Sequence, residues 1–387
     1  MNKESKKTLA TFSLASFFHD MGSDMVFSVW PFFVTEFLGA NKTVLGLIDG
    51  IGDAVVSISQ AVSGYISDRI RKRKVFVWLG YLSGALARVG YSISLTWHMV
   101  LPFRILDRSG KMRGAPRDAI LSDLSTREDR ARNFGVLRAM DNLGAVCGTI
   151  IAMVLLGTLG YRMLFLLAAI PSVLAVLLIY FGVPKEMPFT KALYRGVRLN
   201  DLNHHMRLLF LLSAIFSLGT FSYSFLLLYV KSAGVPIIAI PAYYLLFNLV
   251  AALFSLPFGT LADIIGRKFL LFISFAFWGC TTLLLIASQH VGVIILAFVS
   301  YGLHGAALEP VQKTFVAELA PERFRASILG GFQMVIGLCA LPASLFAGFL
   351  WDQFGRNMPL YFSLCMTVIA SLLLLFVREP HTTASRE

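Results

Sequence analysis

Apolar residues run through this chain in stretches of twenty or so, each closed by charged residues, proline or glycine. A helix needs about twenty apolar residues to cross a hydrocarbon layer about 30 Å thick. The stretches fall near 9–38, 43–67, 75–95, 98–122, 132–157, 161–182, 207–231, 236–262, 269–288, 291–317, 326–351 and 358–377. Twelve transmembrane helices are predicted, and no interval is left for a soluble domain. The expected fold class is all-α and integral to the membrane.

Composition agrees. Of 387 residues 57% are hydrophobic and 14% charged, and the mean hydropathy is +0.72. That balance excludes a water-soluble domain of this length. The net charge of +12 does not point to nucleic acid, because the basic residues lie in short connections and not along one soluble face. With the N-terminus in the cytoplasm, one set of connections holds Lys3, Lys6, Lys7, the cluster from Arg69 to Lys74, Arg127, Arg130, Arg132, Lys185, Lys191, Arg195, Arg198, Arg267, Lys268, Arg323, Arg325 and Arg378. The opposite set holds little beyond Lys42, Arg162, Lys231 and Arg356. The positive-inside rule therefore predicts a multi-pass protein of the bacterial inner membrane with both termini cytoplasmic.

The basic N-terminus imitates a signal peptide, but its apolar run continues without a cleavage-type A-x-A and is read as the first span. Cys147, Cys280, Cys339 and Cys365 sit inside apolar stretches without C-x-x-C spacing. Neither a disulfide framework nor a zinc site is indicated.

The chain repeats at half its length. Asp68 in GYISDRIRKRK and Asp263 in GTLADIIGRKF stand 195 positions apart, as do Asp123 and Glu318, and Arg130 and Arg325. Two pseudo-symmetric six-helix bundles are expected, at 1–182 and 207–387, joined by a polar linker at 183–206. Repeats of this kind place a solute site at their junction near mid-membrane.

The segment from Gly64 through Asp68, Arg69, Lys72, Arg73 and Lys74, echoed from Gly259 to Lys268, resembles the loop between the second and third helices of the major facilitator superfamily. Helix count, both loop copies and the repeat extend the resemblance over essentially the whole chain. Arg71 departs from the glycine usual there, which the second copy keeps as Gly266. The resemblance implies a gating role for Asp68, Arg69, Arg73, Asp263 and Arg267. More narrowly, FFHDMGSDMVFSVWPFF, LGLIDGIGDA, RILDRSGKMRGAPRDAILSD and RAMDNLGAVCG resemble a bacterial branch near the drug:proton antiporters. Antiporters there often carry a Gly-rich fifth helix ending in Gly-Pro; the segment from Gly144 to Thr149 lacks the proline.

Ionisable residues inside a bilayer cost about 2.5–3.5 kcal/mol each on insertion scales, so those retained are informative. Asp20 and Asp24 lie one turn apart on span one, on one helix face. Span two carries a polar stripe of Asp49, Asp53, Gln60, Ser63 and Ser67. In span four Arg104, Asp107, Arg108 and Lys111 share a face at i, i+3, i+4 and i+7. Span five adds Arg138, Asp141 and Asn142. The second half offers only His304, Glu309 and Lys313 at comparable depth, beside aromatic residues including Tyr223, Phe225, Tyr243, Tyr244, Phe247 and Phe332. An ionisable wall facing an aromatic wall suits an amphipathic or apolar organic solute.

Proton coupling requires a carboxylate whose protonation changes as access alternates. Asp24 is the first candidate, followed by Asp20 and Asp53. Asp107 is expected to be pinned by Arg104 and Arg108, and Asp141 by Arg138 or span four. Span four admits a second reading as a salt-bridge hub, and Asp20 and Asp24 a second reading as helix locks on Arg88 or Arg104. His304 reads either as a helix-contact residue or as a proton relay. Glu309 before Pro310 reads as a hinge carboxylate or as a helix end. His19, Asp20 and Asp24 are too few ligands for a metal. Glycine pairs at 80/84, 110/114 and 144/148 predict close helix packing.

The reading that follows is a secondary transporter of a small organic solute, coupled to protons and exporting, with an importer fitting the same residues and a lipid transporter as a further alternative. A membrane enzyme finds no G-x-S-x-G or Walker A segment to support it. Solute, protons and membrane lipid are the expected partners, without nucleic acid, cofactor or metal, and a monomer is expected.

Overall fold

The computed structural model describes residues 3–70, 72–125, 130–184, 204–320 and 325–379, except the side chains of 3–5, 68, 130, 131, 309, 310 and 325–327. The regular structure among them is helical, without a strand. The first apolar stretch forms α1 (Lys3–Phe27), the short α2 (Trp30–Phe32) and a π-helical turn (Phe33–Phe37); α3 (Lys42–Ile70) and α4 (Arg73–Ile93) follow. The fourth stretch divides into α5 (Trp97–Ser109), a 3-10 turn (Gly110–Arg113) and α6 (Gly114–Leu124). The fifth and sixth run together as α7 (Arg130–Gly182). The seventh divides into α8 (His204–Gly219) and α9 (Tyr223–Ser232), and the rest are α10 (Pro241–Ile265), α11 (Arg267–Ala287), α12 (Val291–Leu319), α13 (Arg325–Phe354) and α14 (Met358–Leu375). Every predicted stretch is thus helical.

Local chemistry explains the breaks. Pro31 has no amide hydrogen, so the Phe27 carbonyl one turn earlier loses its helical donor. The Tyr223 hydroxyl donates to that carbonyl at 3.0 Å, and the helix restarts at Trp30. Within α7, Gly160 takes φ 67° and ψ 175°, a conformation open chiefly to glycine. It divides the 53-residue helix between its two apolar stretches.

Among the described residues, eight helical segments are long and apolar enough to cross a membrane. The stretches near 9–38, 75–95 and 98–122 are not among them. Asp20 and Asp24 make α1 more polar, Arg88 does the same for α4, and the fourth stretch is cut into short pieces. The helices that fall short are those that carry most of the ionic residues.

The chain divides into two compact units, Met1–Leu193 with Ser222–Leu245, and Tyr194–Phe221 with Leu246–Glu387. In the first unit α1 lies along α7. Cβ atoms added at Gly144 and Gly148 would strike the backbone of Phe17 and Met21, so only glycine allows that approach. A cluster including Phe12, Val77, Tyr81, Ile120, Leu137 and Ile179 closes the core beside it. In the second unit Trp278 is fully buried, and its indole nitrogen donates to Ser363 Oγ at 2.8 Å.

Candidate functional site

The ionic residues of the first unit converge on α1, α3, α5 and α7. Asp49 of α3 is 1% exposed and both its oxygens are engaged. Oδ1 accepts from Trp30 Nε1 at 2.8 Å and from Arg104 Nη2 at 2.8 Å. Oδ2 accepts from Ser222 Oγ at 2.7 Å and Ser224 Oγ at 2.6 Å. A buried carboxylate tolerates that position only when paired and hydrogen-bonded. The Arg104 guanidinium lies 4.3 Å from the Trp30 ring centre and 5.2 Å from that of Phe27, and Arg108 lies 4.6 Å from the same Phe27 ring. Cation–π attraction of this kind holds a guanidinium in an apolar setting.

Asp24 is differently placed. It is buried, and its Oδ1 accepts from the Tyr244 hydroxyl at 2.6 Å. Among the described residues no basic group lies within 4.0 Å of it. Asp20, one turn earlier, is half-buried and lies 3.6 Å from Arg113 Nη2. Arg117 lies 3.7 Å from Asp141 and donates to Ser16 Oγ at 2.8 Å, while Arg138 reaches Asp141 at 3.8 Å from an exposed position. Arg88, 1% exposed, is met by neutral groups: the Ser172 hydroxyl, Ser23 Oγ at 2.6 Å and the His19 carbonyl at 3.3 Å.

The loop residues form two similar arrangements, one in each unit. Arg73, the first residue of α4, donates to Asp123 Oδ2 at 2.6 Å, and Lys74 donates to the Tyr180 carbonyl at 2.8 Å and to that of Val183. Arg267, the first residue of α11, lies 2.9 Å from Glu318 and 2.6 Å from Asp263, and Lys268 donates to the Leu375 carbonyl at 2.8 Å. Asp123 and Glu318 are the repeat-related acids. In each unit one loop arginine ties down the acid and the next lysine caps a distant helix end. Arg69 is exposed, and the Asp68 side chain lies outside the described residues.

A model of the Major Facilitator Superfamily matches residues 12–251 and again 209–387. The chain belongs to this superfamily. It is 35% identical, over 97% of its length and 96% of the relative's, to an MFS-type transporter of Methanocaldococcus jannaschii. It is 25% identical to a tetracycline resistance protein of class H from Pasteurella multocida, over 45% of this chain and 44% of that one. Its fold is similar to that of a crystallised nucleoside transporter, with TM-score 0.81 and 14% identity across 95% of this chain and 99% of the other. The protein is a multi-pass membrane protein and a secondary transporter.

In this facilitator the expected pairings are partly redrawn. Arg104 turns to Asp49 and not to Asp107, because α3 brings a carboxylate, and α2 the Trp30 ring, against the guanidinium. Asp20 and Asp24 lock onto neither Arg88 nor Arg104: Arg113 approaches Asp20, and Tyr244 holds Asp24. Lys111 and Asp53 are half-buried, without an ion pair within 4.0 Å among the described residues. His304 Nδ1 lies 2.9 Å from the Ser274 carbonyl, to which it donates, and Phe216 and Trp278 flank the ring. That geometry is a helix contact. Glu309 falls among the side chains outside the described residues.

Trp30, Arg113, Arg117, Ser222 and Ser224 take part without having been singled out from sequence. Arg113 and Arg117 were missed because the 3-10 turn winds about 120° per residue instead of about 100°. It advances the following residues by about 80° over four positions, which aims these two arginines at α1 and α7. Ser222 caps α9 and Ser224 lies in its first turn, just past a break between helices, where the only signal was a pair of hydroxyls in an aromatic run.

Proposed function

We propose that this facilitator exports small amphipathic organic solutes in exchange for protons, by alternating access. It crosses the membrane twelve times with both termini cytoplasmic. Residues 1–182 and 207–387 act as repeat-related halves joined by 183–206, and no reaction is catalysed. One observation carries the coupling: Asp24 is buried against the Tyr244 hydroxyl, with no cation in ion-pairing range among the described residues. A carboxyl so placed can be held with or without its proton, because the Tyr244 hydroxyl donates to either form. Asp49, saturated by four donors including Arg104, is fixed in charge and serves as scaffold. The gating role of Asp68, Arg69, Arg73, Asp263 and Arg267 rests on the loop resemblance and on the two matching arginine–acid ties. The partial likeness to a tetracycline resistance protein supports the outward direction.

Proteoliposomes loaded with the pH dye pyranine test this directly. External addition of a substrate to an exchanger drives protons out and raises lumenal pH; an importer running with protons lowers it. A panel of amphipathic amines, carboxylates and neutral compounds should include members that raise lumenal pH with the native protein and not with Asp24→Asn. A fall in lumenal pH makes the protein an importer. No response to any member by intact protein overturns the coupled-exchange reading.

A further inference from the structure

In the second unit α11 packs along α14, and between them runs an open groove of about 660 Å³. Small residues, Ala276 and Gly279, lie on its α11 side, between the larger and exposed Phe272 and Leu283; Leu372 borders it from α14. A Cβ added at Gly279 would meet Leu364 only at 3.7 Å, an ordinary van der Waals contact. The lining runs from Leu364 to Leu375 on α14 and from Phe272 to Ala287 on α11. At about 1.5 Å per residue these are about 16 Å and about 22 Å, the depth of one leaflet or a little more in a hydrocarbon core about 30 Å thick.

Charge marks one end. Lys268, one turn before Phe272, donates from Nζ to the carbonyl of Leu375, which itself lines the groove, at 2.8 Å. Arg378, three residues beyond Leu375, is exposed. Among the described residues neither cation lies within 4.0 Å of a carboxylate. The acids nearby are already engaged. The Glu379 carboxylate accepts from the backbone amides of Arg267 at 2.6 Å and Lys268 at 3.4 Å, while Asp263 and Glu318 both pair with Arg267. The opposite end, around Ala287 and Leu364, has no lysine or arginine within a turn on either helix.

The first unit closes the corresponding place with its own side chains. Tyr180 stands 195 positions before Leu375. Its ring meets that of Trp78 with centres 5.7 Å apart, and the Lys74 ammonium lies 5.9 Å from the Tyr180 ring centre. That ammonium also serves two carbonyls, of Tyr180 and Val183. The second unit has leucine in place of the tyrosine, and the space stays open.

We infer that the groove between α11 and α14 is a binding site for an anionic phospholipid, with one acyl chain laid over Ala276 and Gly279 and the phosphate held by Lys268 and Arg378. An apolar trough of leaflet depth with cations at one end matches the two parts of such a lipid. A second copy of the chain matches it less well. A two-fold dimer about the membrane normal would bring Lys268 and Arg378 of both copies to the same end of one seam, like charge against like. The inference is independent of the solute reading.

Native mass spectrometry of the full-length protein, delipidated in detergent and titrated with lipid, tests it. The probes are dioleoyl phosphatidylglycerol, dioleoyl phosphatidylcholine and dioleoylglycerol, with glycerol phosphate as the headgroup alone. Phosphatidylglycerol is expected to bind about tenfold more tightly than the other two lipids, and Lys268→Gln with Arg378→Gln should erase that preference. Ala276→Leu, which fills the groove from an exposed position, should weaken all three lipids and leave melting of the lipid-free protein unchanged. Glycerol phosphate should not bind at millimolar concentration. Phosphatidylglycerol binding no tighter than that of phosphatidylcholine, or affinities unchanged in both variants, overturns the site. Binding of glycerol phosphate alone makes it a phosphate site and overturns the lipid. A dimer that persists without lipid and is lost in Ala276→Leu makes a second copy the occupant and likewise overturns it.

Discussion

The Tyr244 hydroxyl donates to Asp24 Oδ1 across 2.6 Å, joining the start of α10 to the last turn of α1. The end of α1 is met again by Tyr223, the first residue of α9, which donates to the Phe27 carbonyl freed by Pro31, its ring centre 5.2 Å from that of Tyr244. The carbonyl freed at the end of α1 by Pro31 of α2, and the carboxyl one turn before that carbonyl, are therefore both answered by tyrosines of 222–245. If proton exchange runs through Asp24, Asp24→Asn should abolish pH-driven movement of solute while leaving solute-for-solute exchange in equilibrated vesicles. Tyr244→Phe removes one hydrogen bond of about 1 kcal/mol, equivalent to a roughly fivefold change. Its pH profile for exchange should shift along the axis without flattening. An Asn variant with the native pH profile removes Asp24 from the mechanism.

Asp49 makes a contrasting prediction. Its removal strands Arg104 in a buried setting, and breaking such a pair from one side costs about 3–5 kcal/mol in soluble proteins, less where bilayer partners can be found. Asp49→Ala should lower the melting temperature in detergent more than any other single acid-to-alanine change in the first unit. Replacing both partners, as in Asp49→Ala with Arg104→Met, should recover much of the loss. Strictly additive losses in the two single variants and the double would mean that the ion pair is not the source of the effect.

The two loop arrangements allow a matched comparison. Arg73→Ala releases Asp123, and Arg267→Ala releases both Asp263 and Glu318. Each change should cost about 1.5–3 kcal/mol of stability, on the scale of one hydrogen bond to a charged group. If the loops also gate, both should alter the rate of solute exchange with little change in binding affinity. Lys74→Ala and Lys268→Ala, whose ammonium groups donate to helix-end carbonyls, should affect melting and not exchange. Exchange rates equal to native in both arginine variants would reduce the loops to structural ties.

Hydropathy made the helices legible, because a spanning helix must satisfy its backbone internally and cover itself with apolar side chains. The 195-residue offset likewise made Asp123 and Glu318 recognisable as equivalent acids before either was seen against an arginine. What could not be read was phase and pairing. The helical spacing that put Lys111 on the face of Arg104 and Arg108 assumed an unbroken helix, and the 3-10 turn at Gly110–Arg113 invalidates it beyond that point. Asp49 appeared as one member of a polar stripe, equal in rank to Ser63 and Ser67. Its importance comes from Trp30, Arg104, Ser222 and Ser224, up to 175 positions away, and no local pattern encodes that convergence. Glycine pairs were more informative: those at 144 and 148 do make a close helix contact.

That contact supplies a prediction whose sign is decided by geometry alone. In a helix interior Gly→Ala favours folding by about 0.5–1 kcal/mol, because alanine loses less backbone freedom. The gain is available only where the new methyl has room. At Gly330 and Gly331 in α13 nothing lies within 4 Å of an added Cβ, so alanine there should leave melting unchanged or raise it. At Gly148 the methyl would press into the main chain of Met21, and at Gly144 into that of Phe17. Backbone cannot swing aside as a side chain can, so α1 must move off α7. Overpacking of this kind costs about 1–3 kcal/mol, which outweighs the entropic gain. Because α1 carries Asp20 and Asp24, the displacement should also disturb proton coupling. Gly148→Ala is therefore expected to lower both the melting temperature and the pH-driven lumenal signal, while Gly330→Ala lowers neither. Equal and small effects at the two positions would mean that α1 and α7 are not in the tight contact described.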